Sequence, residues 1–372
     1  MSDRACALRV ALVIGEVAGG GAERAVWAWA QELVAWVDAV SVYTFDPAVT
    51  GSVDTRSVAH RNFRWRSRLT KPIELALRLR RAMRSDGVGV VVSSTSYPNL
   101  VVLLASRLLP TSQRPAVIIV EHNVASVLLA QQGRAARMQL VLARRCYRAA
   151  DAAIGVSHAV VADLVGGLRV AHEHAFFVPN PVAARRQRHV RVPDDGTLRI
   201  GFVGRVTAQK LPLRLVDCAR ALRRRGVDAR LIVVGNGELD GRLAAYAAAH
   251  GIAARHVGWT ADWTVHAQEM NVLLLPSSVE GFGNVLVEAA AAGIPAVAPS
   301  TALGVADAIL PGITGELAIS GDADHLADAV LEAARRPLDA AIIDGWLNHF
   351  SSEASARILI EVIRHTVRAR PS

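Results

Sequence analysis

Lysine is almost absent from this chain of 372 residues, which has 2 Lys against 40 Arg. Together with the abundance of Ala and Val, that bias reflects a GC-rich genome rather than a function. Any lysine that survives it is worth locating, and the two are Lys71 and Lys210. Cysteine is scarce as well. Cys6, Cys146 and Cys218 stand without CxxC or CxxH spacing, which excludes a disulfide framework and a zinc site and fits a reducing cytoplasm. No long hydrophobic run is present. Residues 8–14 are too few for a secretory core and lead straight to Glu16, as a first strand would, while the uncharged stretches 87–106 and 289–306 are broken by Pro, Gly and Ser/Thr. What remains is a well-buried globular composition, 52% apolar and only 20% charged. The length exceeds what one core supports, so two domains are expected. The net charge of +9 favours anionic partners: nucleotide phosphates, an acidic membrane leaflet or nucleic acid.

Short Val/Ile-rich runs alternate with longer Ala/Leu/Arg segments, the pattern of parallel sheets covered on both faces. The sequence predicts strands at 8–15, 39–45, 88–93, 117–121 and 152–156, with helices at 22–36, 72–85, 99–109, 134–149 and 158–167. Pro179-Asn180-Pro181 and the Arg-rich stretch to Gly196 read as a linker. Alternation then restarts, with strands at 198–204, 231–235, 271–275 and 296–298 and helices beginning at Leu213, Leu239, Asp262, Asn284 and Ala323. The fold class expected is α/β, two Rossmann-like halves facing a cleft, with domains at 1–180 and 181–351.

Chemistry concentrates in residues 276–295, PSSVEGFGNVLVEAAAAGIP. Glu280 lies in a loop after an apolar strand, and Glu288 lies about one turn inside the Ala-rich helix that follows. Between them Gly281 and Gly283 let backbone approach a ligand, and the N–H groups of Gly283, Asn284 and Val285 sit at the positive end of the helix. Carboxylates beside a diphosphate site repel it unless they grip uncharged hydroxyl groups, so the pattern reads as a nucleotide-sugar site. The string E-G-F-G-x4-E followed by A-A-x-G-x-P resembles the Glu-x7-Glu signature of the retaining glycosyltransferases of family 4, which have the GT-B fold. By that resemblance Glu288 holds the ribose, Glu280 with the backbone of Phe282 and Gly283 holds the transferred sugar, and the final helix, 352–372, packs back on the first domain.

Other segments add to the resemblance. Gly19, Gly20 and Gly21 make a Gly-rich turn into the first helix, where the family places a turn close to the donor diphosphate; a plain tight turn fits too. In G-F-V-G-R-V-T-A-Q-K, Arg205 and Lys210 match the Arg and Lys that neutralise the diphosphate in the family, so that the nucleotide leaves without a metal. The family continues Lys-Gly, whereas this chain reads Lys210-Leu211-Pro212, a departure that bears on loop conformation. Gly235 and Gly258 fall in turns resembling those near the nucleoside, although ordinary βα turns explain both. His122, at the end of a strand, matches a His that bonds a sugar hydroxyl in relatives.

Arg61, Arg64, Arg66, Arg68 and Lys71, interleaved with Phe63 and Trp65, precede a helix bearing Arg78, Arg80, Arg81 and Arg84, and Glu74 is the one acid from His60 to Ser85. The segment reads either as a peripheral membrane surface with inserted rings or as a solvated face. No nucleic-acid motif accompanies the charge, and nucleic acid is not expected as a partner. The function expected is metal-independent, retaining transfer of a hexose from a UDP- or GDP-sugar to a hydroxyl acceptor, lipid-linked or soluble, in envelope polysaccharide or glycolipid synthesis. The resident cofactor expected is none. A nucleotide-sugar epimerase and a non-catalytic scaffold are the alternatives. A phosphorylase needs a pyridoxal lysine, for which only Lys71 and Lys210 exist.

Overall fold

The computed structural model describes residues 8–15, 20–45, 57–65, 70–182, 195–336 and 338–370. The chain divides into two compact units, residues 1–181 with 350–372, and residues 182–349. The first runs β1 (Arg9–Ile14), α1 (Gly21–Leu33), β2 (Ala39–Thr44), β3 (Ala59–Asn62), α2 (Lys71–Ser85), β4 (Val90–Ser94), α3 (Ser96–Arg107), β5 (Ala116–Glu121), α4 (Ala125–Gln131), α5 (Arg134–Cys146), β6 (Ala152–Gly155), α6 (His158–Ala162) and β7 (Ala175–Phe177). All seven strands are parallel, in the order β3-β2-β1-β4-β5-β6-β7. The central strands β4 and β5 are buried along their whole length; their Val and Ile runs are what parallel strands covered on both faces require, and their ends carry the buried polar Ser93, Ser94 and Glu121.

The second unit carries β8 (Thr197–Val203), α7 (Leu213–Arg224), β9 (Asp228–Val234), α8 (Asp240–Ala249), β10 (Ala254–Gly258), β11 (Val272–Leu274), α9 (Asn284–Ala291), β12 (Ala296–Pro299), β13 (Gly315–Ala318), α10 (Ala323–Arg335) and α11 (Ala340–Leu347). Its six parallel strands are ordered β10-β9-β8-β11-β12-β13. The last helix, α12 (Ser352–Ala369), belongs to the first unit and packs on α1. There the buried indole of Trp29 donates to Ser355 Oγ at 2.7 Å, and that hydroxyl donates to the Pro179 carbonyl at 2.6 Å. The chain thus satisfies two polar groups that burial would otherwise strand.

In each sheet the chain reverses direction of growth beside its first strand, between β1 and β4 and between β8 and β11. Loops at the carboxyl ends of those strand pairs diverge to opposite faces and leave room for a ligand. Arg205, Lys210 and Glu280 follow β8 and β11 in the second unit. No helix among the described residues is long and apolar enough to cross a membrane.

Candidate active site

In the second unit Lys210 and Glu280 meet. Lys210 closes a short 3-10 turn, Ala208–Lys210, and its Nζ lies 2.5 Å from Glu280 Oε1, which also accepts from Ser277 Oγ at 2.5 Å. The side chains are 18% and 7% exposed, so the pair lies mostly out of water. Three further bonds stitch the two loops together: Gln209 Nε2 donates to the Val279 carbonyl at 3.0 Å, and Ser278 donates through both N and Oγ to the Gln209 carbonyl at 3.0 Å. From the other side, Glu280 N donates to the Ala302 carbonyl at 2.8 Å and Gly304 N to the Glu280 carbonyl at 3.2 Å. Glu280 is therefore held in place before any ligand arrives, with the one point ammonium of this unit against it.

Leu211 explains the departure from Lys-Gly. It takes φ 47°, ψ 54°, the left-handed conformation glycine adopts freely, so the turn is kept and the side chain strains it. Leu211→Gly is expected to be more stable than Leu211→Ala by about 1 kcal/mol, measured by chemical denaturation, because only Gly relieves the strain. Equal midpoints and slopes for the two variants would show the turn to be unstrained.

Phe282 is buried, so its ring packs in the core and only its backbone faces the loop. Gly283 (φ 87°) is the N-cap of α9 and turns the chain so that the amides of Asn284 and Val285 open the helix. Glu288, one turn in and half-buried, accepts from the Trp263 indole at 2.7 Å. Trp263 is a site residue that sequence reading missed, since it lies in a 3-10 segment, Trp263–Glu269, where a helix was expected. Arg205 is exposed just after β8, with no ion-pair partner among the described residues. Gly235 donates its N–H to the Gly258 carbonyl at 2.8 Å, and a Cβ on Gly235 would stand 2.1 Å from the Gly204 carbonyl oxygen. Backbone packing alone thus requires that glycine, whatever Gly235 and Gly258 do for a ligand.

The sequence contains one Asp-x-Asp triplet, Asp322-Ala323-Asp324, a spacing that binds metal in other settings. Here Asp322 accepts from Ser320 Oγ at 2.7 Å and Asp324 pairs with Arg224 and Arg225 at 3.1 and 3.2 Å, so both carboxylates serve the start of α10. No group of three or more metal-ligating side chains occurs among the described residues.

In the first unit, Gly20 caps α1 and Gly21 begins it, while Gly19 lies outside the described residues. His122 follows β5 and is buried; its Nδ1 faces Asn180 Oδ1 at 3.1 Å, so Nδ1 carries the proton. Burial lowers its pKa to about 4 against the opposing effect of Asn180, and Nε2 is left an unpartnered acceptor. The preceding Glu121 is a second residue the sequence reading did not single out. Buried, it accepts from Tyr147 Oη, Ser96 Oγ and Asn99 Nδ2, and burial raises its pKa to about 7.

In the basic segment from β3 to α2 the aromatic rings pack within the fold. Arg61 lies in an edge strand and pairs with Asp86, Phe63 packs against Tyr43 and Phe45 at ring separations of 5.4 and 6.4 Å, and Trp65 is half-buried against the core. Lys71 turns inward, 3.8 Å from the Trp65 ring, and lines a cavity of about 190 Å³ with Gly15, Glu23, Phe45, Thr95 and Tyr97. The rings expected to insert in a membrane are thus occupied within the fold; Arg64 is exposed, and Arg66 and Arg68 lie outside the described residues.

Comparison with known proteins places both units. Residues 19–186 match the family model Glycosyltransferase Family 4, and residues 197–336 match Glycosyl transferases group 1. The chain is 33% identical over 177 residues to the D-inositol 3-phosphate glycosyltransferase of Kribbella flavida, covering 43% of this chain and 40% of that protein. It is 34% identical over 129 residues to the lipopolysaccharide 1,6-galactosyltransferase of Salmonella typhimurium, covering 33% of this chain and 36% of that protein. It thus spans well under half the length of these curated relatives. Among solved structures, the apo lipopolysaccharide outer core galactosyltransferase WaaB superposes with a TM-score of 0.76 at 20% identity, over 96% of this chain and 99% of that one. Anabaena HepE with UDP-glucose gives 0.75 at 19%, over 96% and 100%. The chain thus has the GT-B fold, with its first unit matching the family 4 model and its second the group 1 model.

Proposed function

We propose that the chain is a retaining glycosyltransferase that moves a hexose from a nucleoside diphosphate sugar to a hydroxyl acceptor in polysaccharide or glycolipid synthesis. The observation that carries this reading is the Lys210–Glu280 pair, held at the turning point of the second sheet beside a helix N-terminus opened by Gly283. An ammonium, a set of backbone amides and two carboxylates in one loop cluster suit a diphosphate attached to hydroxyl-rich groups. The UDP-glucose bound by the Anabaena neighbour is in keeping with such a donor.

In this reading Glu288 takes the ribose and Glu280 with the Phe282 and Gly283 backbone takes the sugar. On binding, Lys210 exchanges Glu280 for the diphosphate, joined by Arg205 and the Asn284 and Val285 amides. Gly235 and Gly258 approach the nucleoside. As the bond from the anomeric carbon to the diphosphate oxygen breaks, its electron pair stays on that oxygen, where fixed positive charge stabilises it. The acceptor oxygen bonds the anomeric carbon on the same face and its proton passes to the departing phosphate, so no protein nucleophile is assigned. With the leaving charge met by Arg205 and Lys210, EDTA is expected to leave turnover unchanged.

Thermal-shift titration with UDP, GDP and their sugars tests the reading. One nucleotide at about 100 times its Kd should add about 2.7 kcal/mol to stability by mass action. No shift with any of them, or turnover abolished by EDTA and restored by a divalent cation, counts against it.

A further inference from the structure

Helix α5 presents a face that the fold itself does not use. Inward, Leu140 and Ala143 are buried, and Ala136 and Cys146 pack against the core. Outward, Met138, Val141 and Leu142 are 60%, 40% and 43% exposed, and their spacing of three and four residues makes them neighbours on the helix surface. Exposed Arg134, Arg137, Arg144, Arg145 and Arg148 surround them, and there is no Asp or Glu between His122 and Ala150. Arg137 and Arg144 donate to the Ala130 and Gly167 carbonyls, whereas Arg134, Arg145 and Arg148 form no ion pair among the described residues. Helix α3, which packs on α5, adds Leu104 and Leu108, each 41% exposed, beside Arg107.

Single exposed apolar side chains are ordinary, but several on adjoining helices within a one-signed ring of charge need an occupant that is apolar inside and anionic outside. A second copy docked about a two-fold axis sets arginine against arginine. Nucleic acid meets the charge and leaves the thioether and leucines in water. An anionic bilayer surface satisfies both, with apolar groups at the acyl boundary and lipid phosphates around them.

We propose that the α3–α5 face docks the first unit on an anionic lipid surface, Met138 and Leu142 entering the headgroup boundary and Arg134, Arg145 and Arg148 meeting lipid phosphates. This places the contact on a helix layer that the sequence pattern did not single out, and it is independent of the transfer reaction because binding is read without substrate.

The test is cosedimentation of the full chain with vesicles of phosphatidylcholine, alone or mixed with phosphatidylglycerol. Binding is expected only to the anionic vesicles and should weaken as salt rises above physiological strength, where screening acts over about 8 Å. Met138→Gln with Leu142→Gln should lower the bound fraction about tenfold, and Arg134→Glu with Arg145→Glu and Arg148→Glu should lower it further. Melting temperatures should be unchanged, since every substituted side chain is exposed. Arg80→Glu with Arg84→Glu on α2 should bind within about twofold of the parent. The proposal is overturned by equal binding to neutral vesicles, by no binding, by loss only in the α2 variant, or by a concentration-dependent dimer that the α5 substitutions dissociate.

Discussion

Lys210→Ala is expected to lower turnover at least about a hundredfold, a loss of roughly 2.7 kcal/mol of transition-state stabilisation, because in the proposed reaction it removes the one flexible point charge assigned to the leaving diphosphate. The structure adds a second consequence that spacing alone did not suggest. Glu280 is 7% exposed, so deleting its ammonium partner strands a carboxylate out of water, and the variant should also lose stability. A drop in activity could then reflect unfolding. The double variant Lys210→Ala with Glu280→Gln separates the two, since it removes the stranded charge: stability should return toward the parent while turnover stays low. Lys210→Arg should keep the fold and recover only part of the rate, a planar guanidinium being a poor substitute for a mobile ammonium. Parent-like turnover in Lys210→Ala would sink the assignment of Lys210 to the diphosphate, and parent-like turnover in the double variant would sink the donor site as a whole.

The residues of this candidate site carry marks in the sequence itself. Lys210 stood out because composition drives Lys to Arg, and the Gly-Phe-Gly turn into an Ala-rich run marked α9 from the permissive backbone it requires. What stayed hidden has physical reasons. The strands not expected, β3, β7, β10 and β13, are the four sheet edges. Each has one neighbour and three to five residues, and β3 reads Ala-His-Arg-Asn, with no apolar run because an edge does not demand one. The sequence left Phe63 and Trp65 open for a related reason: a ring among arginines looks the same whether it points into a core or out of it. Trp263 and Glu121 gave no signal, since the first reaches Glu288 from 25 residues away and the second is an acid at the end of an ordinary apolar strand.

Glu121 and His122 make the second large expectation, a pair of neighbours whose contributions to pH stability oppose each other. Burial raises Glu121 from its ordinary 4.5 to about 7, so between those values the unfolded carboxyl is ionised and the folded one still holds its proton. Folding takes up a proton there, and the contribution of Glu121 falls as pH rises. Burial lowers His122 from 6.5 to about 4, so across most of the same range the unfolded imidazole is charged and the folded one neutral. Folding releases a proton, and the contribution of His122 rises with pH. In the parent the two slopes largely cancel from about pH 4.5 to 6.5. Glu121→Gln removes one of them. Whatever its absolute stability, the difference from the parent should shift in the variant's favour by on the order of 3 kcal/mol between pH 4.5 and 7, and flatten above that. His122→Gln should show the reverse slope, gaining on the parent as pH falls from 6.5 toward 4. Urea unfolding at half-unit intervals of pH reads both, and curves that run parallel to the parent in either variant would show that the residue concerned titrates as it does in water.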